Sequence, residues 1–176
     1  MLGHIKVDSN NGVGLMGFAT LVSEVGKMLV DKQSMVVTAE SCTGGMIAEA
    51  LTSISGSTAW FDRAYVTYSY ESKKEMLGVK ESTIQKKGAI SQECVLEMAL
   101  SALQQSHAKI SVACSGIAGP GGGTPDKPVG TVWIAWARQG HEQVESQLFH
   151  FDGDRQSIRE QTTQAALMGI MKILQD

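Results

Sequence analysis

The hydrophobic positions along the chain change spacing repeatedly, and each change predicts a switch between helix and strand. Several stretches carry apolar residues at helical spacing, which is typical of amphipathic helices. These predicted helices cover residues 19–32, 43–53, 71–77, 82–87, 91–106 and 154–174. Short runs rich in apolar, β-branched and aromatic residues lie between them and predict strands. The predicted strands cover residues 34–38, 63–69, 109–115, 129–137 and 144–151.

The order of these elements predicts an α/β fold. Helices and strands that alternate along a chain form a largely parallel sheet with helices on both faces. The last two strands are joined by a short polar segment, which favours an antiparallel hairpin. We therefore expect a three-layer α/β/α sandwich with a mixed, mostly parallel sheet of about five strands. Residues 18–176 form the single predicted domain, and residues 1–17, rich in glycine and asparagine, form an irregular N-terminal arm.

Composition and charge narrow the possible partners. The chain has 176 residues, of which 43% are hydrophobic and 19% are charged, as in an ordinary globular domain. Its net charge of −3 and its lack of an extended basic stripe argue against a nucleic-acid partner. Every apolar run is shorter than the roughly 20 residues that span a bilayer, and the first residues lack the pattern of a secretory signal. No membrane partner is therefore expected.

The cysteines and histidines predict neither a disulfide framework nor a metal site. Cys42, Cys94 and Cys114 show no Cys-x-x-Cys spacing and cannot all pair within one chain, which favours a reduced, cytoplasmic protein. The four histidines are dispersed, and none lies at zinc-ligand spacing from another histidine or a cysteine. We therefore expect no metal and no other cofactor.

Polar residues follow three of the predicted strands. Ligands of open α/β sheets bind outside the carboxyl ends of the strands, so residues at such ends are expected to line one cleft. The strand-end residues are Glu40, Ser41, Cys42 and Thr43 after the first strand, Tyr68 and Lys73 after the second, and Ser115 and Gly116 after the third.

The first of these strand ends leads directly into a predicted helix that opens at Thr43 or Gly44. The first N–H groups of a helix have no partner within the helix, and together with the helix dipole they favour an anion or a developing negative charge. Gly44 and Gly45 allow a ligand to approach the backbone closely. The alternative is a simple capped turn, with Ser41 or Thr43 as the N-cap residue.

A nucleophilic serine needs a base, and no histidine lies near these strand ends in the sequence. Lys73 is the obvious candidate, because a lysine whose pKa is lowered by burial can accept a proton. The alternative for Lys73 is a solvated lysine in the first turn of a helix.

Other residues of the cleft also leave two interpretations open. Tyr68 could donate to a catalytic oxygen or pack as a cross-strand aromatic. Cys42 is a rival nucleophile or a small buried residue. Glu40 could orient a ligand or lysine, or it could neutralise the helix dipole.

A glycine-rich segment and two arginines complete the candidate chemistry. Residues 116–128 hold five glycines and all three prolines, and they match no standard phosphate-binding motif, so we interpret them as a pocket wall. Arg155 and Arg159 lie one helical turn apart and could clamp a phosphate. The alternative is an exposed helix face on which they pair with Asp154 or Glu160.

Seven short motifs, taken together and in order, resemble the C-terminal domain family of the competence-damage protein CinA. They are TAESCTGG at residues 38–45, GSTAWF at 56–61, VTYS at 66–69 followed by Lys73, LGV at 77–79, GAIS at 88–91, SGIAGPGG at 115–122 and KPVGTVW at 127–133. The resemblance covers roughly residues 20–174. The larger CinA proteins carry an additional N-terminal domain that has no counterpart in this sequence.

The resemblance implies a three-layer fold and an activity. Stand-alone members include amidohydrolases that convert nicotinamide mononucleotide to nicotinic acid mononucleotide and ammonia with a serine and a lysine, and without metal. The motifs place the nucleophile on Ser41, the base on Lys73 and the family tyrosine on Tyr68. The remaining expected substrate-binding residues are Glu40, Thr43, Gly44, Gly45, Ser115, Gly116 and Arg155, with Arg159 as a second phosphate candidate.

The resemblance also implies a homo-oligomer, for which Trp60, Phe61, Trp133 and Trp136 could supply an apolar interface. One residue departs from the family pattern, because Tyr70 stands where many members have asparagine. This difference keeps two alternatives open: a catalytically silent nucleotide-binding module, or an amidase for another small carboxamide.

Overall fold

The computed structural model describes residues 17–141 and 143–175, and one five-stranded sheet organises them. The strands are β1 (Val36–Glu40), β2 (Phe61–Val66), β3 (Ile110–Gly116), β4 (Thr131–Arg138) and β5 (Glu145–His150). They lie in the order β2-β1-β3-β4-β5. β1 is parallel to β2 and β3, whereas β4 is antiparallel to both of its neighbours, so four of the five strands run in one direction. This arrangement confirms the predicted mixed, mostly parallel sheet.

Helices cover both faces of the sheet. In the part of the chain that the structure describes they are α1 (Phe18–Asp31), α2 (Met46–Thr52), α3 (Tyr70–Leu77), α4 (Glu81–Lys87), α5 (Gln92–Gln104) and α6 (Arg155–Gln175), with a 3-10 turn at Ser57–Ala59. Helices α1, α2 and α6 pack on one face, and α3, α4 and α5 pack on the other. The predicted three-layer α/β/α sandwich is therefore confirmed.

Each face of the sheet has its own hydrophobic core. Because successive strand residues point to opposite faces, Ile110 and Val112 of β3 enter the core under α6, whereas Ala113 enters the core under α5. The face under α5 is lined by small residues, including Ala39 and Ala135 from neighbouring strands. Small side chains let α5 lie close to the sheet. Burial on both faces also explains why the strands appear as continuous apolar runs in the sequence.

The ends of three elements differ from the prediction by two residues or more at the site-bearing edge, and one of them is β2, which ends at Val66 instead of residue 69. β1 runs to Glu40, although it was expected to end at residue 38, and α2 begins at Met46 instead of residue 43. Gly44 and Gly45 adopt positive φ angles of 60° and 99°, a left-handed conformation that glycine tolerates and a helix does not contain. Residues 41–45 therefore form a tight turn.

The two most buried tryptophans pack inside the fold. Trp60 is 9% exposed and Trp136 is 5% exposed, and their Nε1 atoms donate to the carbonyl oxygens of Leu51 and Ala166 at 3.0 and 2.9 Å. The expectation that both supply an exposed apolar interface is therefore wrong. Phe61 and Trp133 are half-buried.

Two further expectations concern the ends of the chain and membranes. The predicted arm lies, except for its last residue Gly17, outside the described residues. Within the described residues, every helix is too short or too polar to cross a bilayer.

Gly169 provides a stability test of the packing between α6 and β4. A Cβ atom at this position would overlap the indole ring of Trp136, which the hydrogen bond to Ala166 holds in place. Alanine has a higher helix propensity than glycine, which would stabilise α6. Because of the overlap, we nevertheless expect Gly169→Ala to lower the free energy of unfolding by about 1–3 kcal/mol. Thermal and chemical denaturation would measure the change.

Gly121→Ala is the matched control, because a Cβ there meets no heavy atom within 4 Å. A Gly169→Ala protein as stable as the wild type would contradict the packing argument.

Candidate active site

The carboxyl ends of the three neighbouring parallel strands lie side by side. In the sheet register, Glu40 of β1 is paired with Val66 of β2 on one side and with Cys114 of β3 on the other. The predicted cleft-forming segments therefore begin at adjacent positions along one edge of the sheet. β1 is central among them, so the turn that follows it is enclosed on both sides.

Ser41 and Lys73 meet in this cleft. The Lys73 Nζ atom lies 2.9 Å from the Ser41 Oγ atom and donates to the backbone carbonyl of Thr67 at 2.6 Å. Ser69 caps α3 by accepting from the N–H of Ser72, so the helix starts immediately after the β2 strand end. Lys73 and Leu77 then lie one turn apart on the buried face of α3.

The surroundings of Lys73 favour a neutral amine. Its side chain is only 1% exposed, and burial lowers the pKa of this amine below 10.5, its ordinary value. The electrostatic effects of the nearby Cys94, Cys114 and Cys42 thiols oppose this lowering of the pKa, but burial is the larger cause. Among the described residues, no carboxylate forms an ion pair with Lys73. A lowered pKa increases the neutral fraction of the amine, which is the form that could accept a proton from Ser41.

Glu40 immediately precedes the turn formed by residues 41–45, and its carboxylate accepts hydrogen bonds from the start of α2. The residue has no exposed surface. It accepts hydrogen bonds of 2.6–3.0 Å, and the donors are the hydroxyls of Thr38 and Thr43 and the N–H groups of Gly45, Ile47 and Ala48. The anion predicted at this helix N-terminus is thus Glu40 itself. The geometry favours its helix-dipole interpretation and leaves no surface for a ligand.

The hydrogen bonds of Glu40 determine which backbone N–H groups are left to stabilise a developing oxyanion. The N–H of Gly45 donates to Glu40, and the N–H of Gly44 donates to the carbonyl of Ser41 at 3.1 Å. In contrast, within the described residues no oxygen acceptor is paired with the N–H groups of Cys42 and Thr43. These two groups adjoin the Ser41 nucleophile; the N–H of Cys42 also interacts with the thiol of its own side chain, so the N–H of Thr43 is the less engaged donor.

Cys42 is a poor rival to Ser41 as a nucleophile. A hydrogen bond with the Cys114 thiol and burial raise the pKa of the Cys42 thiol well above 9.0, its ordinary value. The reactive form of a cysteine is the thiolate, which this environment disfavours.

The Thr43 hydroxyl is also engaged, because it donates to Glu40 at 2.6 Å and contacts the Cys114 Sγ atom at 3.2 Å.

Both arginines at the start of α6 reach towards the cleft. Arg155 donates to the Gly119 carbonyl at 2.8 Å and to the Tyr68 hydroxyl at 2.9 Å. Arg159 donates to the Thr43 carbonyl at 2.7 Å. Neither arginine forms an ion pair with Asp154 or Glu160 in the described part of the chain. The alternative pairing with Asp154 or Glu160 is therefore wrong, although Arg155 is exposed and Arg159 is half-buried.

Ser115 and Gly116, at the end of β3, shape the far wall of the cleft. Ser115 is 1% exposed, and its hydroxyl donates to the carbonyl of Ala89 at 2.8 Å. Gly116 has no room for a side chain, because a Cβ there would lie 2.8 Å from the Thr131 carbonyl oxygen and also meet Val132. These residues therefore fix the course of the backbone into the Gly-rich loop, residues 117–130.

Other parts of the described chain offer no comparable chemistry. No group of three or more histidine, cysteine or acidic side chains in residues 17–141 and 143–175 is arranged to hold a metal ion. An open apolar groove of about 370 Å³ lies between α1 and the residues Ile54 and Trp60, but it shares no residue with the cleft. The Ser41–Lys73 contact therefore remains the centre of the candidate site.

The sequence and the three-layer fold were compared with known proteins. A family model for the CinA C-terminal domain matches residues 18–174. This chain belongs to the CinA C-terminal domain family. The CinA-type motifs in this sequence supply both residues of the buried serine–lysine contact.

This chain is similar to relatives in the CinA C-terminal domain family along most of their length. Nicotinamide-nucleotide amidohydrolase PncC of Pseudomonas putida is 49% identical over 154 residues, covering 88% of this chain and 95% of that protein. The protein of the same name from Escherichia coli K12 is 48% identical over 84% of this chain and 88% of its own length. The crystal structure of competence/damage inducible protein CihA from Agrobacterium tumefaciens superposes with a TM-score of 0.87 at 41% identity, covering 90% and 96% of the two chains.

Two parts of this CinA-type site gave no usable signal in the sequence. The carbonyl of Thr67 holds Lys73, but a backbone acceptor leaves no trace in side-chain patterns. Lys127 donates to the carbonyls of Lys87 and Ile90, which lie about 40 residues earlier in the sequence. Ile90 and Lys127 both belong to family motifs, but no side-chain pattern indicates that they meet.

Lys73 provides a test of the electrostatics. Replacing it with methionine keeps the length of the side chain and removes the buried amine, so we expect Lys73→Met to raise the melting temperature at about pH 7. Because the pKa of Lys73 is lowered in the folded protein, the unfolded chain binds more protons between that pKa and 10.5. Wild-type stability therefore rises with pH across this window, and the advantage of Lys73→Met should shrink towards about pH 10.

Melting temperatures of both proteins across this pH range would measure the effect. Lys74→Met is the control, since Lys74 is exposed and paired with Glu81. A stability difference between wild type and Lys73→Met that does not vary with pH would argue against a lowered pKa.

Proposed function

We propose that this chain is a nicotinamide-nucleotide amidohydrolase that converts nicotinamide mononucleotide and water to nicotinic acid mononucleotide and ammonia. The observation that carries the proposal is the buried 2.9 Å contact between Ser41 and an amine that has no carboxylate partner among the described residues. The names of relatives at 48–49% identity support the substrate.

The first half of the reaction forms an acyl-enzyme. Neutral Lys73 accepts the Ser41 proton as Ser41 Oγ attacks the carboxamide carbon, and the carbonyl oxygen becomes an oxyanion. The N–H groups of Cys42 and Thr43 stabilise that oxyanion, a type of contact worth about 3–4 kcal/mol in other hydrolases. Protonated Lys73 then donates to the departing nitrogen, the C–N bond breaks and ammonia leaves.

The second half regenerates the enzyme. Lys73, again neutral, accepts a proton from water as the water oxygen attacks the ester carbon, and the proton passes to Ser41 Oγ when the ester bond breaks. The Thr67 carbonyl keeps the amine directed at Ser41 in both halves. The relay uses only groups of this chain, so we propose that it needs no metal or cofactor.

We propose that the nucleotide lies between the Gly-rich loop and the start of α6. Arg155 is the first candidate for the phosphate, because it is exposed, already bridges Tyr68 and Gly119, and keeps further N–H groups for a ligand. Arg159 is the second candidate, but its bond to the Thr43 carbonyl also ties it to the catalytic turn. Tyr68, 60% exposed, would border the substrate through its contact with Arg155.

A cytoplasmic location and self-association remain proposals. Three free, buried thiols support a reducing environment. The edge strand β2 and the exposed side chains of Val66 and Tyr70 near its end support contact between copies. Light scattering of the purified protein would give the oligomeric state.

Ser41→Ala should abolish ammonia release from nicotinamide mononucleotide, measured without added metal. We expect turnover to fall at least about a thousandfold, as when the nucleophile of other serine hydrolases is removed. Ser111→Ala is the matched control, because the Ser111 hydroxyl is also buried but donates to the Ala99 carbonyl under α5. Turnover that survives in Ser41→Ala would refute the nucleophile assignment and direct attention to Cys42.

The dependence of kcat/KM on pH should report Lys73. Activity requires the neutral amine, so kcat/KM should rise as the pH increases through the lowered pKa of Lys73 and then level off. Lys73→Arg should be inactive at every pH, because a guanidinium does not release its proton. A profile that shows no rise on the acidic side would contradict the role of Lys73 as base.

The presence of Tyr70 in place of asparagine favours one alternative function, that of a nucleotide-binding module without catalysis. Tyr70 is the first residue of α3 and is 57% exposed at the β2 strand end. Such a module would be stabilised by the nucleotide but would release no ammonia. In that case Tyr70→Asn is the variant expected to gain activity. Ammonia release from a different carboxamide alone would instead identify an amidase of other specificity.

A further inference from the structure

The Gly-rich loop has few attachments to the rest of the protein. Its ends are held where Ile117 donates to Thr131 and Gly130 donates to Ile117, and a turn links Thr124 and Lys127. Between these points, Thr131 N–H donates to the Pro128 carbonyl and Arg155 donates to the Gly119 carbonyl, and the remaining described attachment is the side chain of Lys127. The ends of the loop are buried, with Ala118 in the core and Val129 packed against it, whereas residues 120–126 are exposed. The position of this middle segment therefore depends on side chains that reach across to rigid elements.

Lys127 makes such a reach. Its Nζ atom donates to the carbonyl of Ile90 at 2.7 Å and to the carbonyl of Lys87 at 3.3 Å. Lys87 is the last residue of α4, so the ammonium lies at the negative end of that helix dipole. The side chain is half-buried, which strengthens a charge-assisted hydrogen bond relative to one in open water.

The segment that receives Lys127 is itself fixed to the core. Ser91 caps α5 through the N–H of Cys94, and its hydroxyl donates to the Gly88 carbonyl at 2.8 Å. The Ala89 carbonyl accepts from the buried hydroxyl of Ser115 at the end of β3. Residues 88–91 therefore form a rigid turn that contacts the cleft wall at Ser115 and the far end of the Gly-rich loop at Lys127.

We propose that Lys127 is a positioning residue that holds the Gly-rich loop in place as the nucleotide-binding wall. The inference rests on the proposed function. A phosphate bound at Arg155 would share the guanidinium with the Gly119 carbonyl, so this attachment of the loop depends on a group that also binds substrate. The Lys127 attachment does not compete with substrate and keeps the loop against the α4–α5 turn throughout the reaction.

The test compares Lys127→Met with the wild type in two measurements. Methionine keeps the hydrocarbon length but cannot donate, so we expect KM for nicotinamide mononucleotide to rise about tenfold while kcat changes by less than about twofold. Peptide-resolved hydrogen exchange should show faster exchange in residues 117–130 and unchanged exchange in α5 and β3. Lys127→Arg can still donate to both carbonyls and should restore most of the wild-type KM.

Lys109→Met is the matched control. The Lys109 ammonium also donates to a backbone carbonyl, that of Gln33 at 3.1 Å, but at the opposite end of the parallel strands. It should leave KM, kcat and exchange of the Gly-rich loop unchanged.

The outcomes separate this inference from the proposed function. A wild-type protein that releases no ammonia would overturn the proposed function, while the exchange experiment would still test the attachment of the loop. Faster loop exchange would then support the attachment alone. An unchanged KM in Lys127→Met would overturn the positioning role, as would a fall in kcat at unchanged KM or exchange that increases throughout the protein.

Discussion

A buried amine that pairs with no carboxylate in the described part of the chain is the constraint on which this site depends. A lysine in water is protonated and cannot act as a base, whereas Lys73 is almost completely buried and surrounded by thiols and backbone carbonyls. The fold must therefore bear the cost of removing this amine from water. Two cores, one on each face of the sheet, supply the stability that allows it.

Glu40 solves the complementary problem. Glu40 directly precedes the Ser41 nucleophile, and a free carboxylate at this strand end could pair with a cation in the cleft. The structure instead directs the Glu40 carboxylate into the N-terminus of α2, where two hydroxyls and three backbone N–H groups satisfy it. The same hydrogen bonds hold residues 41–45 in a turn that presents Ser41 to Lys73. One acidic side chain thus stabilises the nucleophile turn and spares the base a counter-ion.

The sequence predicted the architecture well because each element has a clear periodicity. The alternation of elements gave the mixed sheet, and the polar strand ends gave the cleft with Ser41 and Lys73 in it. The prediction was less accurate for residues 41–45, because two glycines with positive φ and a buried carboxylate delay α2 in a way that apolar spacing does not reveal. Trp60 and Trp136 were misjudged because an aromatic residue in a strand or turn has no pattern that distinguishes a core position from an exposed one. The Lys127 attachment joins distant segments through backbone carbonyls, which no spacing rule describes.

The thiols around Lys73 limit how this site can vary in evolution. Buried cysteines at residues 42, 94 and 114 lie near the amine, and their electrostatic effect only partly opposes the lowering of its pKa by burial. An aspartate at any of these positions would attract a proton to the lysine and remove the base, even if the fold tolerated the change. A serine or alanine would remove the opposing effect of the thiol and would keep the pKa of the amine lowered. Divergent members of the family can therefore exchange these cysteines for other small residues, but acidic replacements are closed to any lineage that retains the reaction.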